Sequence, residues 1–453
     1  MVRANALCTL LFRPCSSRTA KLSYQKELSK NFNINEIKDG VIYEANIRQY
    51  SESGKFQDFT KDIYKLKDLG VKIIWLMPIH PISKTNRKGT LGSYYSISDY
   101  KAVNPEFGNK DDLDELIKEA HKHDMLVILD WVANHTGWDH KWIENKPDYY
   151  TKNENGEITD PINPSTGESW GWTDVADLNF DNMEMQNEMI KAMEYWVKEH
   201  EIDGYRLDAA HSCPASFWKK SIKRLKKIKN VLMLAESDGY HTGGFELIEL
   251  FDMSYNWSGH HVLNRIYKKE NNSEDLKINI NRNLNDYSSK HVLMNFTSNH
   301  DENTWAGTVF DRYGDGAKTF AALTYFLPGI PLIYNGQEYG LNKRLEFFEK
   351  DYITKKQTDF YEFYSNLNSL KKENNILDID SEIKFEIIET NNKNLICYKR
   401  TKNNDSMYFV ANLSEESQEI NTEFSETLKS LNSDKMISLK KNSLDPWEYH
   451  FLK

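Results

Sequence analysis

From about residue 40, short apolar runs alternate with amphipathic stretches, and this alternation limits the fold more than any other feature of the chain. Val41–Asn46, Val71–Met77 (VKIIWLM, stopped by Pro78) and Met125–Asp130 (MLVILD) read as strands; the last is apolar almost without a break, as in a strand covered on both faces. Gly204–Asp208, Val231–Glu236 (VLMLAE), Val292–Ser298 and Ile330–Tyr334 continue the series, and Phe251–Tyr255 brings the candidates to eight. Between them Phe59–Leu69, Asp111–His123, residues 182–200, Phe217–Lys229, residues 316–327 and Asp359–Lys372 carry helical periodicity. The Asp111 stretch opens with acids, which suit the positive end of a helix. Alternation of this kind calls for a parallel sheet with crossover helices, and eight strands favour a closed barrel over an open sheet.

The predicted fold is therefore α/β, a (β/α)8 TIM barrel over residues 31–373. The rhythm breaks at about 132–181, which holds Trp138, Trp142, Trp170 and Trp172 among Gly, Pro and Asn; a segment this long after strand 3 reads as an inserted, loop-rich subdomain. Its tryptophans suit either sugar stacking or the subdomain's own core. From 374 to 453 the pattern changes to short strands (Ile383–Glu389, Leu395–Arg400, Met407–Leu413, Trp447–Leu452), expected as an antiparallel β domain. Residues 1–30 carry Arg3, Arg13, Arg18, Lys21 and Lys26 before the first acid, Glu27, and read as a leader. A signal peptide, an organelle transit segment and a start assigned too early all fit it; the address stays open, with an exported or cell-surface location favoured and an organellar or cytoplasmic one as the alternatives.

A net charge of −10 argues against a nucleic-acid partner, and no apolar run reaches the length of a membrane span. Of four cysteines, Cys8 and Cys15 lie in the leader, and Cys213 and Cys397 are far apart with no metal spacing or disulfide framework. The sequence says nothing about oligomeric state.

Within Gly204–Asp208, a period of two puts Gly204, Arg206 and Asp208 on one face and Tyr205 and Leu207 on the other. Arg206 beside Asp208 favours the ionised carboxylate, as a nucleophile needs; a structural ion pair fits the same residues. Polar residues end three further strands: Asp130, Glu236 and the His300–Asp301 pair. In a barrel those ends share one face, where active sites form. Asp208, Glu236 and Asp301 offer a nucleophile, a proton donor and a third carboxylate, the set that cleaves a glycosidic bond. No Gly-rich phosphate loop or G-x-S-x-G elbow competes.

These stretches resemble, in order, the motifs of the α-amylase family of retaining glycoside hydrolases. Gly70–Pro78 (GVKIIWLMP), Gly92–Gly108 with Tyr95, Asp130–His135 (DWVANH), Asp174–Asn179 (DVADLN), Gly204–Asp208, Glu236, Phe296–Asp301 (FTSNHD) and Gly329–Glu338 (GIPLIYNGQE) carry the resemblance. It implies that Asp208 is the nucleophile, Glu236 the general acid/base and Asp301 the carboxylate stabilising the transition state. Arg206 would hold Asp208 ionised, His135 and His300 would bind hydroxyls of the attacked sugar, Tyr95 would stack on its face, and Asp130 would support Arg206. The family often carries Lys-His three and four residues after the nucleophile; this chain has His211 and Ser212, which puts His211 at the acceptor side and leaves fine specificity open. No cofactor is required. A structural calcium is common in the family, with Asn134 and Asp177 matching two of its oxygen ligands; relatives without calcium also keep the Asn. The implied activity is hydrolysis of α-1,4-glucosidic bonds in starch or maltooligosaccharides. An α-glucosidase, a glucosyl transferase or an isomerase of the same family is the alternative among enzymes, and a catalytically dead glucan-binding protein the alternative outside them.

Overall fold

A computed structural model describes residues 32–453, apart from 164, 165 and 241. The leader assigned to residues 1–30 lies outside the described residues. Eight parallel strands close into a barrel in sequence order: β1 (Ile42–Ala45), β2 (Ile73–Leu76), β3 (Leu126–Val132), β4 (Gly204–Asp208), β5 (Leu232–Ala235), β6 (Met253–Tyr255), β7 (Val292–Asn295) and β8 (Ile330–Tyr334). Around them run α1 (Ile63–Leu69), α2 (Lys110–Lys122), α3 (Met183–Glu199), α4 (Ala215–Leu225), α5 (Trp257–Tyr267), α6 (Ser273–Asp286), α7 (Ala317–Phe326) and α8 (Asp359–Glu373).

Strand alternation divides the apolar side chains between two cores. Ile42, Ile73, Trp75, Ile128, Leu232, Leu234, Met253, Tyr255 and Met294 fill the barrel interior. Tyr43, Ile74, Leu129, Tyr205, Leu207 and Met233 point outward into the layer shared with the helices. Tyr205 and Leu207 thus take the face opposite Arg206, as the period of two requires. Gly204 is needed for β4 to lie against β5: a Cβ there would stand 1.9 Å from the Leu232 carbonyl oxygen.

Two expectations need correction. Asp130 does not end its strand, because β3 pairs with β4 through Val132. His300 and Asp301 are not on a strand end either. β7 stops at Asn295; the Asn299 side chain then accepts the Glu302 amide at 2.8 Å, and its carbonyl accepts the Asn303 amide at 3.0 Å. These bonds turn the chain into a π-helical turn over Glu302–Ala306 instead of letting it extend.

In the inserted segment His135–Gly137 pairs antiparallel with Val175–Asp177. At the C-terminus, β9 (Lys384–Ile387), β10 (Leu395–Lys402), β11 (Asp405–Asn412) and β12 (Tyr449–Leu452) form an antiparallel sheet. One face, with Tyr398, Phe409 and Phe451, joins the helix-side core through Phe326, and the other, with Cys397, Tyr408 and Val410, builds a smaller core of its own. Two further strand pairs, Gln418–Ile420 with Asn442–Leu444 and Thr427–Lys429 with Met436–Ser438, escape the sequence pattern because each strand is only three residues long. Cys213 and Cys397 are free and buried. Among the described residues no helix is long and apolar enough to cross a membrane.

Candidate active site

The interior faces of the strands turn polar toward their C-terminal ends. Register sets Asp130 of β3 directly beside Arg206 of β4, and Val132 beside Asp208. Arg206 is fully buried and sits among three carboxylates. Its Nη1 donates to Asp130 Oδ1 at 2.8 Å and to Asp208 Oδ1 at 2.9 Å. Nη2 stands 2.9 Å from Glu236 Oε1, an ion pair whose alignment falls short of a hydrogen bond. Nε donates to the Tyr255 hydroxyl at 3.1 Å, and the rings of Trp75, Tyr95 and Tyr255 lie 5.0, 5.8 and 5.7 Å from the guanidinium. A buried guanidinium with this many anionic neighbours keeps its charge.

Asp208 ends β4 and Glu236 directly follows β5, both largely buried but open on one side. Burial pushes Asp208 up to about 6, with Arg206 pulling it down and Asp130 and Asp301 pushing it up. Burial raises Glu236 further, to about 7; Arg206 opposes this, and the charges of Asp208 and Asp301 add to it. Arg206 therefore does not hold Asp208 in the ordinary carboxylate range, as the sequence led us to expect. It limits the rise that burial among like charges imposes. Both carboxyls are thus raised, by burial first, with Arg206 opposing the rise in each.

A second group of residues joins this one through Tyr95. Its hydroxyl lies 3.1 Å from Asp130 Oδ2, which also accepts from Trp75 Nε1 at 3.2 Å, and 2.7 Å from His300 Nε2. The Tyr95 ring stacks on His300 at 5.5 Å and on Phe347 at 6.4 Å. His300 Nε2 is 3.4 Å from Asp301 Oδ2, and Nδ1 is 2.6 Å from Glu44 Oε1 on β1. Asp301 is the most exposed of the three acids. The structure thus brings Tyr95, Asp130, Arg206, Asp208, Glu236, His300 and Asp301 into one contact network. Sequence reasoning missed Glu44, Trp75 and Tyr255, although Glu44 and Trp75 follow Ile42 and Ile73 at the interior spacing of two.

Of the other expected residues, His135 meets that network at the Tyr95 main chain and His211 at the Glu236 main chain. His135 is buried beside Trp172, 6.0 Å between rings, and burial pushes its pKa down to about 4, so it is neutral. His211 lies in the turn Ala210–Ser212 after β4 and is exposed. Asn134 Nδ2 faces His135 Nδ1 at 3.3 Å, and burial pushes Asp177 up to about 6. Among the described residues no three His, Cys, Asp or Glu side chains gather as around a cation. Asn134 and Asp177 alone do not make up the roughly six to eight oxygens that calcium takes. The tryptophans divide: Trp142 packs on Tyr149, whereas Trp170 and Trp172 are exposed and stacked on each other at 6.0 Å. Exposed Trp305 lies tilted against Phe347, 5.5 Å between rings, next to the Tyr95–Phe347 stack. A groove of about 710 Å³ between α5 and α6 reaches Glu302 but none of the three acids. The convergent carboxylates, rather than this volume, mark the site.

Residues 30–375 match the family model described as alpha amylase, catalytic domain. An alpha-amylase of Haloarcula japonica is 26% identical over 387 residues, which cover 83% of this chain and 56% of that protein. Alpha-amylase 3 of Dictyoglomus thermophilum is 29% identical over 338 residues, 67% of this chain and 64% of that protein. The chain thus spans between about half and two thirds of the length of these relatives. A noncanonic maltogenic alpha-amylase from Thermotoga neapolitana superposes with a TM-score of 0.82 at 27% identity, over 92% of this chain and 99% of that one. An alpha-amylase from Lactobacillus plantarum does so with a TM-score of 0.79 at 27% identity, over the same shares of the two chains.

Proposed function

As this chain belongs to the alpha-amylase family of glycoside hydrolases, a retaining family, we propose that it cleaves α-1,4-glucosidic bonds in starch or maltooligosaccharides by double displacement. The observation carrying this reading is the grip of one buried guanidinium on both Asp208 and Glu236, which holds the two carboxyls together at the C-terminal ends of β4 and β5. Ionised Asp208 attacks the anomeric carbon while the proton of Glu236 passes to the departing glycosidic oxygen. This yields a glycosyl ester on Asp208 and a free sugar end. Glu236, now a carboxylate, takes a proton from water; the resulting hydroxide displaces Asp208 and both carboxyls return to their starting states. Asp301 offsets the positive charge on the ring in each transition state. Tyr95 stacks on the attacked sugar, and His135 and His300 bind its hydroxyls.

Exposed Trp170 and Trp172, stacked on each other, and exposed Trp305 beside Phe347 favour a substrate of several sugars over a disaccharide. The presence of all three acids speaks against a dead binding protein. The reading is tested by incubating the enzyme with amylose, maltotriose, isomaltose, sucrose and trehalose and separating the products. Maltooligosaccharides should form from amylose and little from the last three, and proton NMR before mutarotation should show the α-anomer first. Asp208→Asn should lower kcat by roughly three orders of magnitude or more with the fold intact. An initial β-anomer, or near-normal turnover by a well-folded Asp208→Asn enzyme, would overturn the assignment.

A further inference from the structure

Glu44 is a fully buried carboxylate on β1, and its one hydrogen-bond partner is the His300 ring. Its second oxygen, Oε2, has no partner among the described residues. A buried carboxylate so placed is costly unless it faces a positive charge. Counting protons along the chain of bonds shows what that charge is. Asp130 accepts from Arg206 and Trp75; burial raises its pKa to about 6, and the charges of Arg206 and His300 oppose the rise. The single proton of the Tyr95 hydroxyl therefore points to Asp130 Oδ2, and the phenol oxygen must accept from His300 Nε2. At the other side of the ring, Nδ1 faces Glu44; burial raises the pKa of this carboxyl, the charges of His300 and Arg206 oppose the rise, and the ionised form accepts from Nδ1. Both ring nitrogens carry hydrogen.

We propose that Glu44 is a positioning residue: through Nδ1 it holds His300 as an imidazolium, which fixes the direction of the hydrogen bonds running through Tyr95 to Asp130 and keeps a positive N–H beside Asp301. This rests on the reading of Asp208, Glu236 and Asp301 as the reacting carboxylates. The groups facing the ring agree with it. Glu44 from β1 and Asp301 from its own loop are anionic, Tyr95 is neutral, and Arg206 of β4 is the one opposing cation; Tyr255 of β6 and Tyr334 of β8 are neutral phenols near Glu44. Burial by itself would lower the pKa of His300, but Asp301 and Glu44 outweigh it and raise it to about 9. With Gln at position 44 the counter-charge is gone. The neutral ring would then turn a lone pair to Tyr95, whose proton would leave Asp130.

The test combines NMR of the enzyme labelled with 15N-histidine and pH profiles of Glu44→Gln, with His300→Gln to assign the signal among 13 histidines. Both nitrogens of His300 should report N–H from pH 5 to 8 in the natural enzyme. In Glu44→Gln one nitrogen should lose its proton by about pH 7, and kcat/KM should fall about tenfold at pH 7.5 but less than about twofold at pH 5. A neutral His300 in the natural enzyme at pH 7, or a loss in Glu44→Gln that is equal at every pH, overturns the proposal. If the variant does not fold, the signal of the natural enzyme decides alone. Because that signal is read without turnover, its failure is separable from a failure of the catalytic assignment.

Discussion

The Ala209 amide donates to Glu236 Oε2 at 2.8 Å, and the residue reaches that position in a left-handed conformation, φ 39° and ψ 49°. This strained residue directly follows Asp208, so the turn that ends β4 also fixes the carboxyl on β5. For a residue with a Cβ the left-handed region costs about 1–2 kcal/mol, a strain held between the two carboxyls proposed to react. We expect Ala209→Gly to retain activity with Tm changed by only about 2 °C, since relieved strain and added freedom of the unfolded chain nearly offset each other. Ala209→Val should lower both stability and kcat, the latter about tenfold, because a β-branched residue resists this conformation. A Val variant with normal turnover would show that the amide contact does not position Glu236.

The order of the two carboxyl pKa values predicts a bell-shaped dependence of kcat/KM on pH. Activity should rise as Asp208 ionises near 6 and fall as Glu236 loses its proton near 7. The limbs belong to the coupled group, so the optimum should lie between them. With an aryl glucoside whose leaving group needs no protonation, Glu236→Gln should lose the alkaline limb while keeping the acid one. An alkaline limb that persists in that variant would point to another group.

The same shift has a consequence for stability. A carboxyl whose pKa rises on folding binds its proton more tightly in the folded state, so its contribution is favourable below the unfolded value of about 4.3 and is lost as pH rises through the folded value. For Glu236 that window runs from about 4.3 to about 7. Glu236→Gln should therefore raise Tm by a few degrees at pH 7.5, and the gain should vanish below about pH 4, as thermal melts across that range will show. A variant less stable at neutral pH would mean that the ion pair with Arg206 outweighs the burial of the charge.

What could be read from the chain followed the range of its determinants. β4 and β8 have their expected bounds, because Gly204, Asp208 and the Pro331 run signal locally where pairing begins and ends. The inward face of β4 was legible because alternation is a property of five consecutive residues. Glu44 was not, because its meaning lies in His300, 256 positions away, and one acid in an apolar run looks like an exposed face. The helices α5 and α6 escaped notice for a different reason. Their sequences are rich in Asn, His and Gly, and their starts depend on the caps of Asn256 and Asn272, which a scan for apolar periodicity passes over. The place of His300 and Asp301 beyond β7 was hidden by the side-chain bond of Asn299, which turns the chain where composition alone reads as strand.

His211 gives the last prediction, at the point where the chain leaves the family pattern. It stands in the turn after Asp208, against the Gly243 turn: a Cβ on Gly243 would lie 3.2 Å from the His211 Cβ. Partial burial lowers its pKa, and a backbone contact with Glu236 works against that. The residue is exposed, and solvent screens an open ring against that lowering. The charge change then falls on the acid side of the ordinary histidine value. If the ring touches sugars on the acceptor side, KM for short maltooligosaccharides should change as pH falls into the acid range and level off toward neutrality. His211→Lys, charged throughout, should flatten that profile. His211→Ala should raise KM severalfold while lowering kcat less, the pattern of lost ground-state binding. Product ratios and KM that do not differ between the Ala variant and the natural enzyme across this range would make His211 a surface residue without a part in substrate binding.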